Sequence, residues 1–437
     1  MLKEFKKIDA ILAKAIKQTK KLKTPVFFQY SVKINNNINT IKRNMFHQDN
    51  TIYMNFPNNK QTYICSGIKI KNQNKDYKLK DNYKILSNNS NKDILTFGLN
   101  AFDVENKNIF PWGGLQKEYF IVPEILLIIN KKSSLNFNLI LDSESKIEEI
   151  KKYISEHFKE LSTKKNIKSQ QTVNSIKQET YPSKKEYSKI FNKTKDAINN
   201  GIAEKIVLSK IEKHLIKEKI NLYRTHKAME NNYKDCFNFI IQLNKNDYFI
   251  GSSPELILKL KQNKISTISL AGTSTIKNKL NSLKEINEQE YVTKYLKKTL
   301  EKIGNEIKQS KTKKLKLNYA YHLKTKISAN IKNNKHILEL LKMIHPTPAL
   351  SGYPKKEAMD FIKQTEPFNR GYYTGAIGLY NLKGEGYFYA GIRSALIKNK
   401  EIYIFSGGGI TKNSDYLKEW EETNIKSNHI KTIIKLK

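Results

Sequence analysis

Five short segments close the chain: HPTPALSGYP (345–354), EPFNRGYYTGAIG (366–378), AGIRSAL (390–396), FSGGGI (405–410) and EWEET (419–423). They are rich in glycine and proline and carry single charged residues, which a hydrophobic core does not need. Glycine allows backbone conformations and close approaches that other residues exclude. An arginine between apolar strand residues needs an anionic partner if it is buried. The segments therefore predict a site that holds a small, negatively charged molecule.

The composition indicates a folded globular protein. Of 437 residues, 38% are hydrophobic and 10% are aromatic, and this aromatic content argues against disorder. The formal charge of +38 would suit a nucleic-acid partner. However, the basic residues are spread along the chain and no nucleic-acid-binding motif accompanies them, so a bias towards A/T-rich codons explains the charge more simply. We expect no nucleic-acid partner, and a basic nucleic-acid-binding protein is the non-enzyme alternative.

The cysteines and the N-terminal segment bear on the compartment. Cys65 and Cys236 stand alone, so neither a zinc site nor a disulfide framework is indicated. The first 22 residues have apolar residues at helical spacing but no continuous apolar core, which predicts a helix rather than a secretory signal. No segment approaches the roughly 18–20 apolar residues of a membrane span. We therefore expect a cytoplasmic protein without a membrane span.

The order of predicted elements indicates the fold class. Strand-like and helix-like segments occur in clusters rather than in strict alternation, which predicts an α+β protein. Residues 1–162 are predicted to form an N-terminal α+β subregion, and residues 183–437 a catalytic region. Residues 163–182 are polar and lack periodicity, which predicts a linker or a surface loop.

Two upstream segments, EKIVLSK (204–210) and GSSPELILKL (251–260), complete a set of motifs with those at the end of the chain. In order and spacing the set resembles the chorismate-utilising enzymes: isochorismate, anthranilate, aminodeoxychorismate and salicylate synthases. The resemblance runs from about residue 183 to the end, with weaker matches at FGLNAFD (97–103) and PEILLIIN (123–130). It implies a chorismate-binding fold, a two-lobed β-sandwich flanked by helices, with the site between the lobes.

The resemblance implies one base and one acid. Lys205 corresponds to the lysine that deprotonates water in isochorismate synthases, whereas the amine-adding relatives usually carry glutamine there. A base must be neutral to accept a proton, which requires burial or a neighbouring cation. Glu255 corresponds to the general acid that protonates the departing hydroxyl, a role that requires a raised pKa.

Two helical segments, NEQEYV (287–292) and EWEETNIK (419–426), resemble the family's Mg²⁺-binding helices. The predicted ligands are Glu288 and Glu422, and each helix carries a second glutamate on the same face. Ion pairing of Glu422 with Lys426 at i, i+4 is the alternative interpretation. Mg²⁺ commonly takes only one or two protein carboxylates and completes its shell with water and substrate oxygens.

The remaining motif residues are implied to hold the substrate. Arg393 resembles the arginine that pairs with the enolpyruvyl carboxylate, Lys426 is expected near the metal-bound carboxylate, and His322 is expected to contact ring substituents. His345 could serve the site or a structural loop. Ala349 stands where the pyruvate-eliminating members usually carry threonine. Backbone N–H groups for carboxylate oxygens are expected from Gly272, Thr273, Gly407, Gly408 and Gly409.

Together these implications predict a Mg²⁺-dependent isochorismate synthase, which adds water at C2 of chorismate and expels the C4 hydroxyl. Menaquinone biosynthesis is the expected pathway, and siderophore biosynthesis is the alternative. Salicylate synthase is disfavoured by Ala349, and anthranilate or aminodeoxychorismate synthase by Lys205. The expected partners are chorismate and isochorismate, without a glutamine amidotransferase subunit, and the expected state is a monomer or a weak dimer.

Overall fold

The computed structural model describes residues 8–57, 61–72, 84–87, 94–114, 116–164, 172–274, 276–317, 320–332 and 334–437. Within these ranges the chain forms nine α-helices and 21 strands. The helices are α1 Ile8–Leu22, α2 Ile38–Met45, α3 Ile147–Ser162, α4 Lys184–Asn199, α5 Leu222–Asn232, α6 Leu283–Ile303, α7 Ile337–Ile344, α8 Lys355–Thr365 and α9 Tyr416–Ile434.

The strands are β1 Val26–Lys33, β2 Ile52–Phe56, β3 Gln61–Asn72, β4 Lys84–Ser87, β5 Leu95–Asn100, β6 Glu118–Ile129, β7 Ser134–Leu141, β8 Ser175–Tyr181, β9 Lys205–Ile216, β10 Phe237–Asn244, β11 Asp247–Ser253, β12 Leu256–Lys261, β13 Lys264–Ser274, β14 Gly304–Gln309, β15 Lys313–Leu317, β16 Ala320–Ile331, β17 Gly352–Tyr353, β18 Ala376–Asn381, β19 Gly386–Ala390, β20 Ser394–Lys398 and β21 Glu401–Thr411.

The strands form one connected sheet with two arms that share β6. The first arm has the order β4-β1-β7-β6-β3-β2-β10-β11-β20-β21-β9-β8, with the short β17 also on β9. The second arm leaves β6 and runs β5-β18-β19-β12-β13-β16, and both β14 and β15 pair with β16. Among the strands in the described ranges, β1 and β4 form the one parallel pair. This antiparallel sheet with segregated helices confirms the α+β prediction.

The two arms pack face to face across an aromatic core. Phe237 on β10 stacks on Tyr389 on β19, with ring centroids 4.6 Å apart. Trp112 stacks on Phe405 of β21 at 5.5 Å. Such rings bury large apolar areas and hold a defined geometry. The arms therefore form the two layers of a sandwich.

Two of the places where the chain passes from one arm to the other are adjacent. Pro254 and Glu255 lead from β11 in the first arm to β12 in the second, and Gly391–Arg393 lead from β19 back to β20. The two crossings are hydrogen-bonded to each other, because Ala390 N–H donates to Glu255 O and Ser252 N–H donates to Arg393 O. Two of the predicted site residues thus lie side by side at the seam of the sandwich.

Helices α6 and α9 cover the strands that bear the motifs. α6 packs its apolar face, including Val292, Leu296 and Leu300, against the second arm. α9 lies over β21 and β9. Their first turns are capped by Ser282 and Asp415, whose side chains accept from the N–H groups of the residues at N3. The two predicted metal helices therefore begin close to the seam.

Residues 163–182 differ in part from the predicted linker or loop. Residues 175–181 form β8, which extends the sheet by pairing with β9, while residues 165–171 lie outside the described part of the chain. β2 pairs with β10 and β5 with β18, so strands from before and after the proposed boundary share one sheet. In the parts of the chain that the structure describes, none of the helices has the length and apolar character needed to cross a membrane.

Candidate active site

A cavity opens at the seam between the arms. Its wall combines strand residues of β9, β13 and β21 with both crossings. The predicted residues that line it are Lys205, Glu255, Thr273, Glu288, His322, Ala349, Arg393, Gly407, Gly408, Gly409 and Lys426. Gly272 and Glu422 are not among the lining residues, but they contact Glu285 and Lys426 respectively. The fold therefore brings together residues that are more than 200 positions apart.

Lys205 begins β9 and is almost completely buried, with 1% of its side chain exposed. Its Nζ lies 2.7 Å from Glu288 Oε1 of α6. Gly409 faces this pair, and a Cβ there would lie 2.6 Å from Lys205 Cε and from Glu288 Oε1. The glycine is thus required by the close approach of the ion pair. The predicted base and one predicted metal ligand contact each other directly.

Glu255 is buried at the first crossing and lines the cavity. Thr347 Oγ1 donates to its Oε1 at 3.4 Å. Burial raises the pKa of Glu255 to about 7, although Lys205, Thr347 and Lys426 act in the opposite direction. A carboxyl with this pKa still carries its proton in about half of the molecules at pH 7, which is what a general acid needs.

Four glutamates from two helices form a carboxylate cluster: Glu285 and Glu288 on α6, and Glu419 and Glu422 on α9. Burial and the charge of Glu288 raise the pKa of Glu285 to about 7. Burial and the charge of Glu422 raise the pKa of Glu419. Burial would also raise the pKa of Glu422, but Lys426, at 2.7 Å, and Lys284 outweigh this effect and hold it below the ordinary value. The cluster is therefore a place where additional positive charge is favoured.

The carboxylate cluster fits a Mg²⁺ ion. Glu419 is 1% exposed and its Oε2 has no hydrogen-bond partner among the described residues. That oxygen faces Gly408, where a Cβ would lie 3.2 Å away. Within the described ranges, no three histidine, cysteine or acidic side chains converge into a complete metal cage. A Mg²⁺ ion held here would therefore take most of its ligands from water or substrate oxygens.

Arg393 lies at the second crossing in a left-handed backbone conformation, with φ of +51°. A non-glycine residue in this region is strained, and such strain is concentrated at functional sites. Its guanidinium has no ion pair among the side chains that the structure describes. The positive charge therefore faces the cavity and can receive an anion.

The glycine run contributes backbone donors to the cavity. Gly407 and Gly409 lie opposite Ser209 and Val207 on β9, but those two residues donate their N–H groups to Glu366 and Ser351 instead. Because hydrogen-bonded and non-bonded pairs alternate in an antiparallel ladder, the N–H groups of Gly407 and Gly409 point away from β9. Gly407 O accepts from Lys426 Nζ at 2.8 Å. The strand edge thus offers two N–H donors beside a lysine.

The Gly272–Thr273 segment differs from the prediction. Thr273 N–H donates to Glu285 Oε2 at 2.6 Å, so it is not free for a substrate carboxylate. Gly272 has φ of +66°, and a Cβ there would lie 3.0 Å from Glu285 O. The bulge at Gly272 in β13 therefore serves to bring the strand against α6 and to hold Glu285.

The two histidines have different surroundings. His322 Nδ1 shares a hydrogen bond with Thr273 Oγ1 at 3.1 Å, and its Nε2 has no partner among the described residues. Burial, with Arg393 and Lys426, lowers the pKa of His322 to about 3, so a neutral ring faces the cavity. His345 Nε2 bonds to Thr374 O at 2.8 Å and does not line the cavity, which favours the structural role.

Several lining residues were not predicted as site residues: Val207, Leu270, Ala271, Leu350, Tyr373, Thr374, Ile392, Phe405 and Ser406. Val207 lies two residues from Lys205, and strand alternation alone places both on one face. Tyr373 and Thr374 belong to the segment 366–378, which was singled out for its glycines. The apolar members carry no chemical signal in the sequence.

Arg370 and Glu366 of the same segment form a buried structural pair. Arg370 Nε lies 2.7 Å from Glu366 Oε2, and the guanidinium also donates to Val207 O and Leu350 O. Glu366 Oε1 accepts from Ser209 N–H. The pair therefore ties the segment after α8 to β9, the strand that carries the predicted base.

Replacing Arg370 with methionine should destabilise the protein by about 3–5 kcal/mol, because it leaves the Glu366 carboxylate buried without its partner. Urea denaturation followed by circular dichroism measures the change. The double variant Glu366→Gln/Arg370→Met removes both charges and should recover part of the loss. An unchanged urea midpoint for Arg370→Met would show that the pair has no structural role.

The comparisons with known proteins agree with this geometry. The chorismate binding enzyme family matches residues 12–435. The chain belongs to this family. Within it, the chain is 31% identical over 242 residues to isochorismate synthase MenF of Haemophilus influenzae, covering 53% of this chain and 56% of that protein. It is also 31% identical over 202 residues to isochorismate synthase EntC of Escherichia coli, covering 44% and 52%.

These alignments span about half the length of the curated relatives. The fold is shared over nearly the whole chain. The structure of MenF, the menaquinone-specific isochorismate synthase from Escherichia coli, superposes with a TM-score of 0.81 at 20% identity, covering 97% of this chain and 99% of that one. The chorismate-binding fold predicted for this family member is confirmed.

Proposed function

We propose that the protein is a Mg²⁺-dependent isochorismate synthase. The observation that carries the proposal is the cavity at the seam, where a buried lysine and a buried glutamic acid with a raised pKa come together with a carboxylate cluster and an unpaired arginine. Chorismate is a dicarboxylate with a ring hydroxyl as its leaving group. The site therefore has positive charge for the two carboxylates and an acid for the leaving hydroxyl.

Two separate regions of positive charge and N–H donors would hold the two carboxylates. Arg393, which has no other partner among the described side chains, is proposed to bind the enolpyruvyl carboxylate bidentately. Lys426 and the N–H groups of Gly407 and Gly409 lie together and are proposed to receive the ring carboxylate. Glu288 and Glu422, with the open Oε2 of Glu419, are proposed to hold Mg²⁺, which would supply positive charge beside that carboxylate.

The acid–base step would use Lys205 and Glu255. Lys205 takes a proton from water, whose oxygen forms a bond to C2 of the ring. Both ring double bonds shift along the ring, the bond from C4 to its hydroxyl breaks, and Glu255 gives its proton to the departing oxygen, which leaves as water. The product is an isomer of the substrate, and both residues return to their starting states when the proton passes from Lys205 to Glu255 through solvent.

The side chains at two positions favour this activity over those of related enzymes. Ala349 lines the cavity with a methyl group, which provides no hydroxyl for a further step of pyruvate elimination. Lys205 stands where amine-adding relatives usually carry glutamine, so water is the proposed nucleophile and no amidotransferase partner is needed. We place the product in menaquinone biosynthesis, since the relative whose fold is shared over 97% of the chain is named for that pathway.

Product analysis tests the proposal. Chelator-treated protein is incubated with chorismate, with and without MgCl₂, and the products are resolved by NMR. We expect isochorismate only when Mg²⁺ is added. Salicylate and pyruvate would instead support a salicylate synthase, and a product that forms only with ammonia would support an amine-adding enzyme.

A further inference from the structure

Lys284 lies in the first turn of α6 and reaches Glu419 in the first turn of α9. Its Nζ is 2.6 Å from Glu419 Oε1, and Ser414 Oγ donates to the same oxygen at 2.7 Å. The lysine side chain is 25% exposed, whereas the glutamate is 1% exposed. Lys284 therefore brings a positive charge from the protein surface to a buried carboxylate of the cluster.

The other oxygen of Glu419 has no such partner. Its Oε2 is buried without a hydrogen bond among the described residues and faces Gly408. Buried carboxylate oxygens are nearly always satisfied by a donor or a cation. One oxygen of the Glu419 carboxylate, Oε1, is thus paired with Lys284, whereas the other, Oε2, can receive a further positive charge.

Three of the four glutamates of the cluster are each paired with a lysine. Lys205 pairs with Glu288, Lys284 with Glu419 and Lys426 with Glu422. Lys205 and Lys426 line the cavity, but Lys284 does not, so contact with a bound substrate does not explain it. Without Lys284, the carboxylates of α6 and α9 would repel each other across the gap between the helices.

We propose that Lys284 is a tethered counter-cation that competes with a divalent cation for the Glu419 carboxylate. It keeps the metal-free cluster neutral enough to hold α6 and α9 together, and by its charge it weakens the binding of a divalent cation. The inference rests on the metal site of the proposed function. It adds a residue, outside the cavity, that sets the affinity of that site.

Metal affinity measured without substrate tests this role. Lys284→Met removes the charge and keeps the length of the side chain, so the Kd for Mn²⁺, from calorimetry and from the electron paramagnetic resonance signal of free Mn²⁺, should fall about tenfold. A tenfold change corresponds to about 1.4 kcal/mol. Lys284→Arg keeps the charge and should bind Mn²⁺ as the unmodified protein does.

The matched control is Lys294→Met. Lys294 lies on the same helix, is 72% exposed and pairs with Glu290, so its removal changes the net charge equally but away from the cluster. Its Kd for Mn²⁺ should be unchanged. The metal-dependent rise in Tm should be larger for Lys284→Met than for either the control or the unmodified protein, because tighter binding stabilises more.

If Lys284 only bridges α6 and α9 and does not affect metal binding, the measurements give a different result. Lys284→Met and Lys284→Gln would then have a lower metal-free Tm but the same Kd for Mn²⁺, and this outcome overturns the proposal. Weaker binding by both variants, or no Mn²⁺ binding by the unmodified protein, overturns it as well. None of these results depends on product formation, so the proposed activity is judged separately by product analysis.

Discussion

Glu255→Gln should lower the turnover of chorismate by about 10²–10⁴-fold, the usual contribution of a positioned general acid. The amide keeps the size and polarity of the buried side chain but has no proton to give to the departing hydroxyl. Initial rates of isochorismate formation at saturating chorismate and Mg²⁺ measure the effect. The Tm should stay close to that of the unmodified protein, because burial already raises the pKa of this carboxyl to about 7 and so disfavours its charged form.

The dependence of rate on pH distinguishes an acid from a binding group. Glu255 must carry its proton, and its pKa of about 7 lies far above that of an ordinary glutamic acid. The kcat/KM of the unmodified protein should therefore fall above pH 7, tenfold per pH unit, and the residual activity of Glu255→Gln should lack this fall. Glu339→Gln, on the exposed face of α7, is the control. Turnover by Glu255→Gln within a factor of three of normal would contradict the assignment.

Lys205→Met should lower turnover to a similar extent, by about 10²–10⁴-fold, because the attacking water loses its base. The methionine keeps the unbranched, buried part of the side chain. Glu288 loses its partner but is 15% exposed, so the protein should stay folded, which the Tm checks. The expected change is in kcat, with a smaller change in KM.

The matched control for Lys205 lies on the same strand and the same face. Lys213 belongs to β9 and pairs with Glu401 far from the cavity, so Lys213→Met should leave kcat unchanged. If Lys205→Met also kept its kcat while Mn²⁺ binding changed, Lys205 would be a partner of Glu288 only. The base would then have to be sought among the other polar groups of the cavity.

The residues with proposed chemical roles could be located from the sequence because their motifs resemble those of a known family and their types are unusual for their surroundings. Glu255 follows a proline and precedes an apolar strand, and Arg393 stands within an otherwise apolar segment. The order and spacing of the motifs linked Glu255 and Arg393 to Lys205. The reason that they meet was not visible in the sequence, because it depends on two crossings between the arms that are 138 residues apart in the chain.

Charge pairing was the least predictable part of the site. Lysine is so abundant in this chain that no single lysine stood out as a partner, and Lys284 drew no attention beside the glutamates that follow it. The pairs Lys205–Glu288 and Lys284–Glu419 join residues 83 and 135 positions apart. Only the packing of α6 and α9 against the same strands brings them within contact.

The abundance of lysine also made two strands difficult to predict. The sequence pattern predicts one long helix over about residues 284–308, but α6 ends at Ile303 and β14 follows, then β15 and β16. Lysine is disfavoured in strands by propensity, yet it is common on exposed edges, where it discourages aggregation. β14 and β15 are such strands, since both pair with β16 on one side.

Initial-rate turnover in ¹⁸O-labelled water tests the central claim most directly. If Lys205 activates water for attack at C2, isochorismate formed with Mg²⁺ carries one ¹⁸O, and the ¹³C NMR signal of C2 shows the isotope shift. Isochorismate without the label would mean that the C4 hydroxyl migrates within the substrate, and the account of acid and base would be wrong. Formation of no isochorismate at all would contradict the proposed function itself.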